Sequence, residues 1–171
     1  MEIKRVKLEE IYAVMEIIDD AKRLLSRLSG QWQEGYPNKD TLIGDIKNGN
    51  LFGAYIDLTL VGIAAYVKGF NVDYDYIEGK WLSEHNENDL VIHRIAVKDG
   101  YHNQKIGDAL VKYAEVYAKD NNLKSIKIDT HIKNIPMQML CINNGYIDCG
   151  IIYIKRKEKD PKRIAYEKLI S

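Results

Sequence analysis

Apolar residues recur at Ile11, Val14, Met15, Ile18, Ala21, Leu25 and Leu28. Gaps of three and four put them on one face of a helix over residues 9–28. Ser29-Gly30 ends that helix. After the loop Gln31-Trp32-Gln33-Glu34-Gly35-Tyr36-Pro37, Asn38 is placed to cap a short helix. That helix reaches residue 47, with Leu42, Ile43 and Ile46 inward. A second long amphipathic helix is predicted over 106–121, where Ile106, Ala109, Leu110, Tyr113, Ala114 and Tyr117 share a side. Pro136 marks the first turn of a last helix, which runs to about residue 143 and is closed by Gly145.

Between these helices the pattern reads as strand, at residues 2–7, 51–56, 60–67, 90–97, 125–129, 148–154 and 163–169. The second and third form a hairpin around Asp57-Leu58-Thr59. In the fifth, Ile126 and Ile128 alternate with lysines. Residues 68–88 carry Tyr74, Tyr76 and Trp81 and are too long for a simple connection, which marks a functional or mobile insertion. No repeat, linker or low-complexity tract interrupts the chain, so a single domain is expected over residues 1–171. The fold class is α+β, with strand–helix–strand near the centre.

Composition narrows the picture. Lys+Arg and Asp+Glu are 25 each in 171 residues. With no net field and no basic stripe, neither nucleic acid nor an anionic membrane is an expected partner. The lysines at 155, 157, 159 and 162 read as a solvated turn. Two cysteines, Cys141 and Cys149, are too few for a disulfide scaffold and match no zinc spacing, so both are expected reduced. The four histidines show no ligand pairing, and no metal is expected. The start of the chain lacks the apolar run of a signal peptide, and nothing approaches the ~20 apolar residues of a membrane span. A cytoplasmic protein is the expectation.

The segment Val97-Lys98-Asp99-Gly100-Tyr101-His102-Asn103-Gln104-Lys105-Ile106-Gly107-Asp108-Ala109 carries a strand through a turn into a helix. A glycine in the first helical turn lets a ligand approach backbone N–H groups that lack intrahelical partners. Such a place suits a pyrophosphate, although glycine there also serves plain packing.

Gln104-Lys105-Ile106-Gly107-Asp108-Ala109 resembles the Gln/Arg-x-x-Gly-x-Gly/Ala motif of the GNAT family of N-acetyltransferases. Ile92-His93-Arg94-Ile95-Ala96-Val97 is similar to that family's preceding strand. Asp129-Thr130-His131, Asn134, Met137, Leu140 and Gly145-Tyr146 are similar to its following strand and helix. The resemblance covers nearly the whole chain. It implies a splayed, mixed, mostly antiparallel central sheet flanked by helices. It also implies acetyl-CoA as co-substrate. The pantetheine arm would run along Ile95, Ala96 and Val97. The pyrophosphate would lie on Gln104, Lys105, Ile106, Gly107, Asp108 and Ala109, and Asn134 would contact the cofactor. Gln104 stands where Arg is more frequent, which weakens one charge-assisted contact.

Acyl transfer to an amine needs a neutral amine, and at a pKa of ~10.4 only about one in a thousand is neutral at pH 7. His93 is the first candidate base, sharing a strand side with Val91, Ile95 and Val97 by alternation; a structural histidine is the competing reading. His131, Glu34 and Glu78 are weaker candidates. Where the family often places a Tyr as general acid, this chain has Cys141; Tyr146, Tyr153 or water are the alternatives. Trp32, Glu34, Tyr36, Tyr76 and Trp81 are the candidate acceptor wall, aromatic and mildly acidic as suits a cationic amine. The two tryptophans could equally pin their loops.

The expected reaction is acetyl transfer to a primary amine of a small molecule by direct attack in a ternary complex. Acetylation of a protein N-terminus or lysine, and a non-catalytic acyl-CoA sensor, remain as alternatives. Pairing of the final strands across a homodimer is left open.

Overall fold

Every helix and strand read from the periodicity is present, with small shifts at the ends. The computed structural model describes residues Met1–Ser171. In chain order it runs β1 (Glu2–Arg5), α1 (Ile11–Leu28), α2 (Lys39–Lys47), β2 (Leu51–Ile56), β3 (Thr59–Lys68), β4 (Glu78–Gly79), β5 (Asp89–Val97), α3 (Ile106–Asp120), β6 (Ser125–Thr130), α4 (Ile135–Asn143), β7 (Ile147–Tyr153) and β8 (Lys162–Leu169). Short 3-10 turns lie at Leu8–Glu10 and Val72–Tyr74. The eight strands form one mostly antiparallel sheet, with β5 and β6 parallel. Two compact units share the chain. The first comprises Met1–Tyr66 and His93–Tyr113, the second Val67–Ile92 and Ala114–Ser171. Strand β5 contributes to both.

In the first unit, β1 pairs with β2 and β2 with β3, all antiparallel. The β2–β3 turn has φ 47° at Asp57 and 70° at Leu58. Two successive left-handed residues make the primed turn that matches strand twist. Helix α1 buries Ile11, Val14, Ile18, Ala21 and Leu25 of the expected stripe, with Ile17 beside them, while Met15 and Leu28 are half-buried. Asn38 caps α2 as expected: its Oδ1 accepts from the Thr41 N–H at 2.9 Å, and the Thr41 hydroxyl accepts from the Asn38 N–H at 3.3 Å. A Cβ at Gly62 of β3 would lie 2.6 Å from Cγ2 of Ile106 and 3.3 Å from Cδ1 of Leu110. The glycine is therefore the notch in which the first turn of α3 seats.

In the second unit, β5 pairs with β6 over Asp89↔Ser125, Leu90↔Ile126 and Val91↔Lys127. Strands β6–β8, β8–β7 and β7–β4 continue antiparallel. The β4–β7 contact is very close: a Cβ at Gly150 would meet the Glu78 carbonyl oxygen at 2.1 Å. Tyr74, Trp81, Val91, Cys149, Ile152 and Ala165 form a buried cluster.

Lys127 departs from the alternation reading, since it is wholly buried. Its ammonium lies 2.6 Å from Asp89 Oδ2, 3.3 Å from Glu167 Oε2 and 3.0 Å from the Ser125 hydroxyl. The Trp81 ring lies beneath it at 5.1 Å. Glu167 also accepts from the Leu82 N–H at 2.7 Å and the Ser83 hydroxyl at 2.5 Å. His85 lies 2.7 Å from Asp89 and accepts from the Asn71 N–H at 2.8 Å. The 68–88 insertion is thus clipped to the sheet through buried charge. A polar group left unpaired there would carry its full desolvation penalty.

Candidate functional site

The turn from β5 into α3 is built within the first unit. The Lys98 N–H donates to the Val61 carbonyl at 2.8 Å, and the Tyr101 N–H to the Lys98 carbonyl at 3.1 Å. From α1, the buried Asp20 carboxylate accepts the Asp99 N–H at 2.9 Å and pairs with Arg23. Lys98 reaches Glu16 at 2.6 Å, which raises its pKa. The turn is therefore moored to α1 by a side chain on the helix's buried face, a role the apolar periodicity of α1 does not show.

Past the turn the backbone takes left-handed φ values at Gly100 (85°), Asn103 (69°) and Lys105 (58°). Left-handed residues alternating with ordinary ones turn successive N–H groups to the same side, an anion-binding arrangement. It leads into α3, whose first intrahelical bond runs from the Ala109 N–H to the Lys105 carbonyl at 3.0 Å. Ile106 and Gly107 precede that bond, in the first turn of the helix, where backbone N–H groups point out along the axis. Gln104 and Lys105 are exposed, Gly107, Asp108 and Ala109 half-buried, and Ile106 is buried in the core. This geometry fits a pyrophosphate on the helix N-terminus.

Strand β5 has a kink at Arg94, where φ is 51°. A left-handed residue within a strand breaks the two-residue alternation. The inference that His93 shares a side with Ile95 and Val97 therefore does not carry across residue 94. His93 is half-buried just before the kink, Ile95 and Val97 are half-buried after it, and Ala96 is buried. The Arg94 guanidinium donates to both Asp45 oxygens, at 2.6 and 2.7 Å, and to the Tyr36 hydroxyl at 2.7 Å. The Tyr36 hydroxyl, expected to face an acceptor, thus accepts from Arg94. Trp32, with φ 62°, is half-buried in the same loop and Glu34 is exposed.

The remaining candidates lie in the second unit. Cys141 of α4 is buried, and burial with the nearby Asp129 pushes its thiol up to about 12. Tyr146 is buried just beyond α4. Asn134 caps α4, its Oδ1 accepting from the Met137 N–H at 3.3 Å. Trp81 is buried, its indole N–H donating to the Tyr74 carbonyl at 3.0 Å, so it anchors its loop. Tyr76 and Glu78 are exposed and Tyr153 is half-buried; the Tyr153 hydroxyl donates to Glu78 at 3.1 Å. His131 is engaged at both ring nitrogens, with Asp160 at 2.5 Å and the Lys133 N–H at 3.1 Å. Lys155, Lys157, Lys159 and Lys162 are exposed, as expected of a solvated turn, while Asp160 of the same turn holds His131 and Glu158 holds the buried Arg163. No group of three or more His, Cys, Asp or Glu side chains is placed to hold a metal ion.

The Acetyltransferase (GNAT) family profile matches residues 11–145. A GNAT-family acetyltransferase from Streptococcus agalactiae superposes with a TM-score of 0.88 at 29% identity, over 99% of this chain and 95% of that one. The PaiA N-acetyltransferase of Thermoplasma acidophilum, solved with coenzyme A, superposes at 0.68 and 20% identity over 98% of each chain. A ribosomal-protein-alanine N-acetyltransferase from Brucella melitensis superposes at 0.72 and 16% identity, over 99% and 100%. No curated protein matches the sequence. A profile match across most of the chain makes this chain a member of the GNAT family of N-acetyltransferases.

Proposed function

We propose that this enzyme transfers the acetyl group of acetyl-CoA to a primary amine of a small molecule, by direct attack in a ternary complex. The observation that carries the reading is the run of exposed residues Asn103 to Lys105, left-handed at both ends, that leads into the first turn of α3, a place that suits a pyrophosphate. Acetyl-CoA supplies an acetyl group already activated as a thioester. Within the first unit, main-chain groups of Ile95, Ala96 and Val97 hold the arm that carries it, and Gln104 to Ala109 hold its phosphates.

His93 takes the proton from the attacking ammonium, directly or through water, the base role to which an imidazole is suited at neutral pH. Protonation of the departing sulfur falls to Tyr146 or water. Cys141, with its thiol pushed up to about 12, is poorly matched to a sulfur whose own pKa is ordinary for a thiol, about 8.5. For the acceptor, the exposed carboxylate of Glu34, in the loop between α1 and α2, offers charge for an ammonium.

CoA release from acetyl-CoA, followed against spermidine, lysine, glucosamine and an alanine-terminated peptide, tests the reading. Turnover of one of the first three, lost in His93→Ala with acetyl-CoA binding intact, is the expected result. Turnover of the peptide alone would shift the acceptor to a protein N-terminus. An unchanged rate in His93→Ala would remove the base assignment.

A further inference from the structure

Arg94 is unusual in two ways at once. Its backbone is left-handed within a strand, at a residue with a full side chain, a conformation that persists only where its surroundings hold it. Its side chain is also nearly buried, at 10% exposure, and bonds two further elements. Nε and Nη2 form the parallel fork with Asp45 of α2, and Nη1 donates to Tyr36 of the α1–α2 loop. Asp45 stands in the last turn of α2, where the helix dipole disfavours a carboxylate. Helix stability alone gives no reason for an acid there. A buried ion pair is weak evidence for stability, since apolar side chains of similar volume often serve as well. This one joins a strained strand to α2, and the same guanidinium reaches, through Tyr36, the loop that carries Trp32 and Glu34.

We infer that Arg94 is a positioning residue for acetyl transfer. Its guanidinium locks the kink of β5 against α2 through Asp45, and through Tyr36 it clasps the loop of residues 31–37 in the conformation that receives the acceptor amine. The inference rests on the acetyl-transfer reading above, since it assigns that loop to the acceptor. Only Arg supplies this geometry: a lysine ammonium cannot form the planar fork to Asp45 and reach Tyr36 as well. Removing the Tyr36 hydroxyl frees the loop while leaving the Arg94–Asp45 pair in place.

Tyr36→Phe and Arg94→Lys test this, compared with wild type by amide hydrogen exchange, acetyl-CoA affinity and steady-state kinetics with the fastest amine of the panel above. Tyr36→Phe should speed exchange in residues 31–37 and raise the amine KM about tenfold, as loss of a hydrogen bond to a charged donor implies, with acetyl-CoA affinity within about twofold. Arg94→Lys should do the same and lower kcat as well. Unchanged exchange in both variants overturns the clasp whether or not any amine is turned over. Faster exchange with equal losses for amine and acetyl-CoA would make the contact structural only and overturn the positioning role. If wild type acetylates no amine, the acetyl-transfer reading fails and the acceptor assignment with it, and the exchange data then report on the clasp alone.

Discussion

Cys141 stands where many relatives are expected to carry a tyrosine acid, yet its surroundings make it a poor one. Burial, helped by Asp129, pushes the thiol up to about 12. Cys141→Ala should therefore leave kcat and its pH profile within about threefold of wild type, because so weak an acid offers little proton near neutrality. A large loss confined to kcat would show that the thiol takes part. Asp129 itself accepts the Tyr74 hydroxyl at 2.6 Å, and desolvation holds its carboxyl above the usual range. A raised folded pKa means that the folded state binds the proton more tightly than the unfolded one. Stability is then lost as pH rises from about 4, the unfolded value, through the raised pKa. Asp129→Asn keeps an acceptor for Tyr74 and removes the charge. Thermal melts should show the variant equal to or more stable than wild type at pH 7, with the advantage shrinking as pH falls towards 4. A variant less stable at pH 7 would show that the charge is needed.

At the scale of elements, the decisive contact is that between β3 and α3. Gly62 leaves room for Ile106 and Leu110, and so fixes how the N-terminal turn of α3 meets the sheet. Gly62→Val would overpack this seam, costing about 1–3 kcal/mol in denaturant unfolding. It should also weaken coenzyme A binding, because the shifted turn is the one that carries Lys105 and Gly107. Destabilisation with coenzyme A affinity unchanged would separate the notch from the site. Element boundaries themselves were largely legible: apolar spacing, the Asn38 cap and Pro136 are local signals, and α1, α2 and α4 follow them. The two-residue strand β4 was not, because Glu78-Gly79 has no pattern of its own and exists through its close approach to β7.

At the scale of the whole molecule, stability draws on buried charge as well as apolar burial. Hydrogen bonds from His85 and Lys127 hold the Asp89 carboxyl below its usual range, against the desolvation that burial imposes. A depressed folded pKa contributes stability that is present above the unfolded value of about 4 and is lost as pH falls through the folded one. Unfolding free energy should accordingly drop steeply in acid below about pH 4, and Asp89→Asn should flatten that drop. An equally steep drop in the variant would assign the acid sensitivity elsewhere. Ligand binding acts on the same balance. Coenzyme A at a hundred times its Kd should add about 2.7 kcal/mol, or roughly 5–10 °C in Tm for a chain of this size. No helix is long and apolar enough to cross a membrane.

The sequence by itself determined the element order and the family motif from Gln104 to Ala109, because each depends on residues near one another along the chain. Helical and strand periods, caps and a glycine in a first helical turn are local physics. What only the tertiary structure decided are the long-range partners. Trp81 proved an anchor rather than a free wall, since its N–H finds the Tyr74 carbonyl. Lys127, on a strand whose alternation reads as ordinary, is buried because Asp89 and Glu167 arrive from distant strands to neutralise it. Arg94 breaks the alternation that had placed His93, and its partners Asp45 and Tyr36 stand 49 and 58 residues away in sequence. A charge in a sequence shows neither its burial nor its partner, because both depend on which segments the fold brings together.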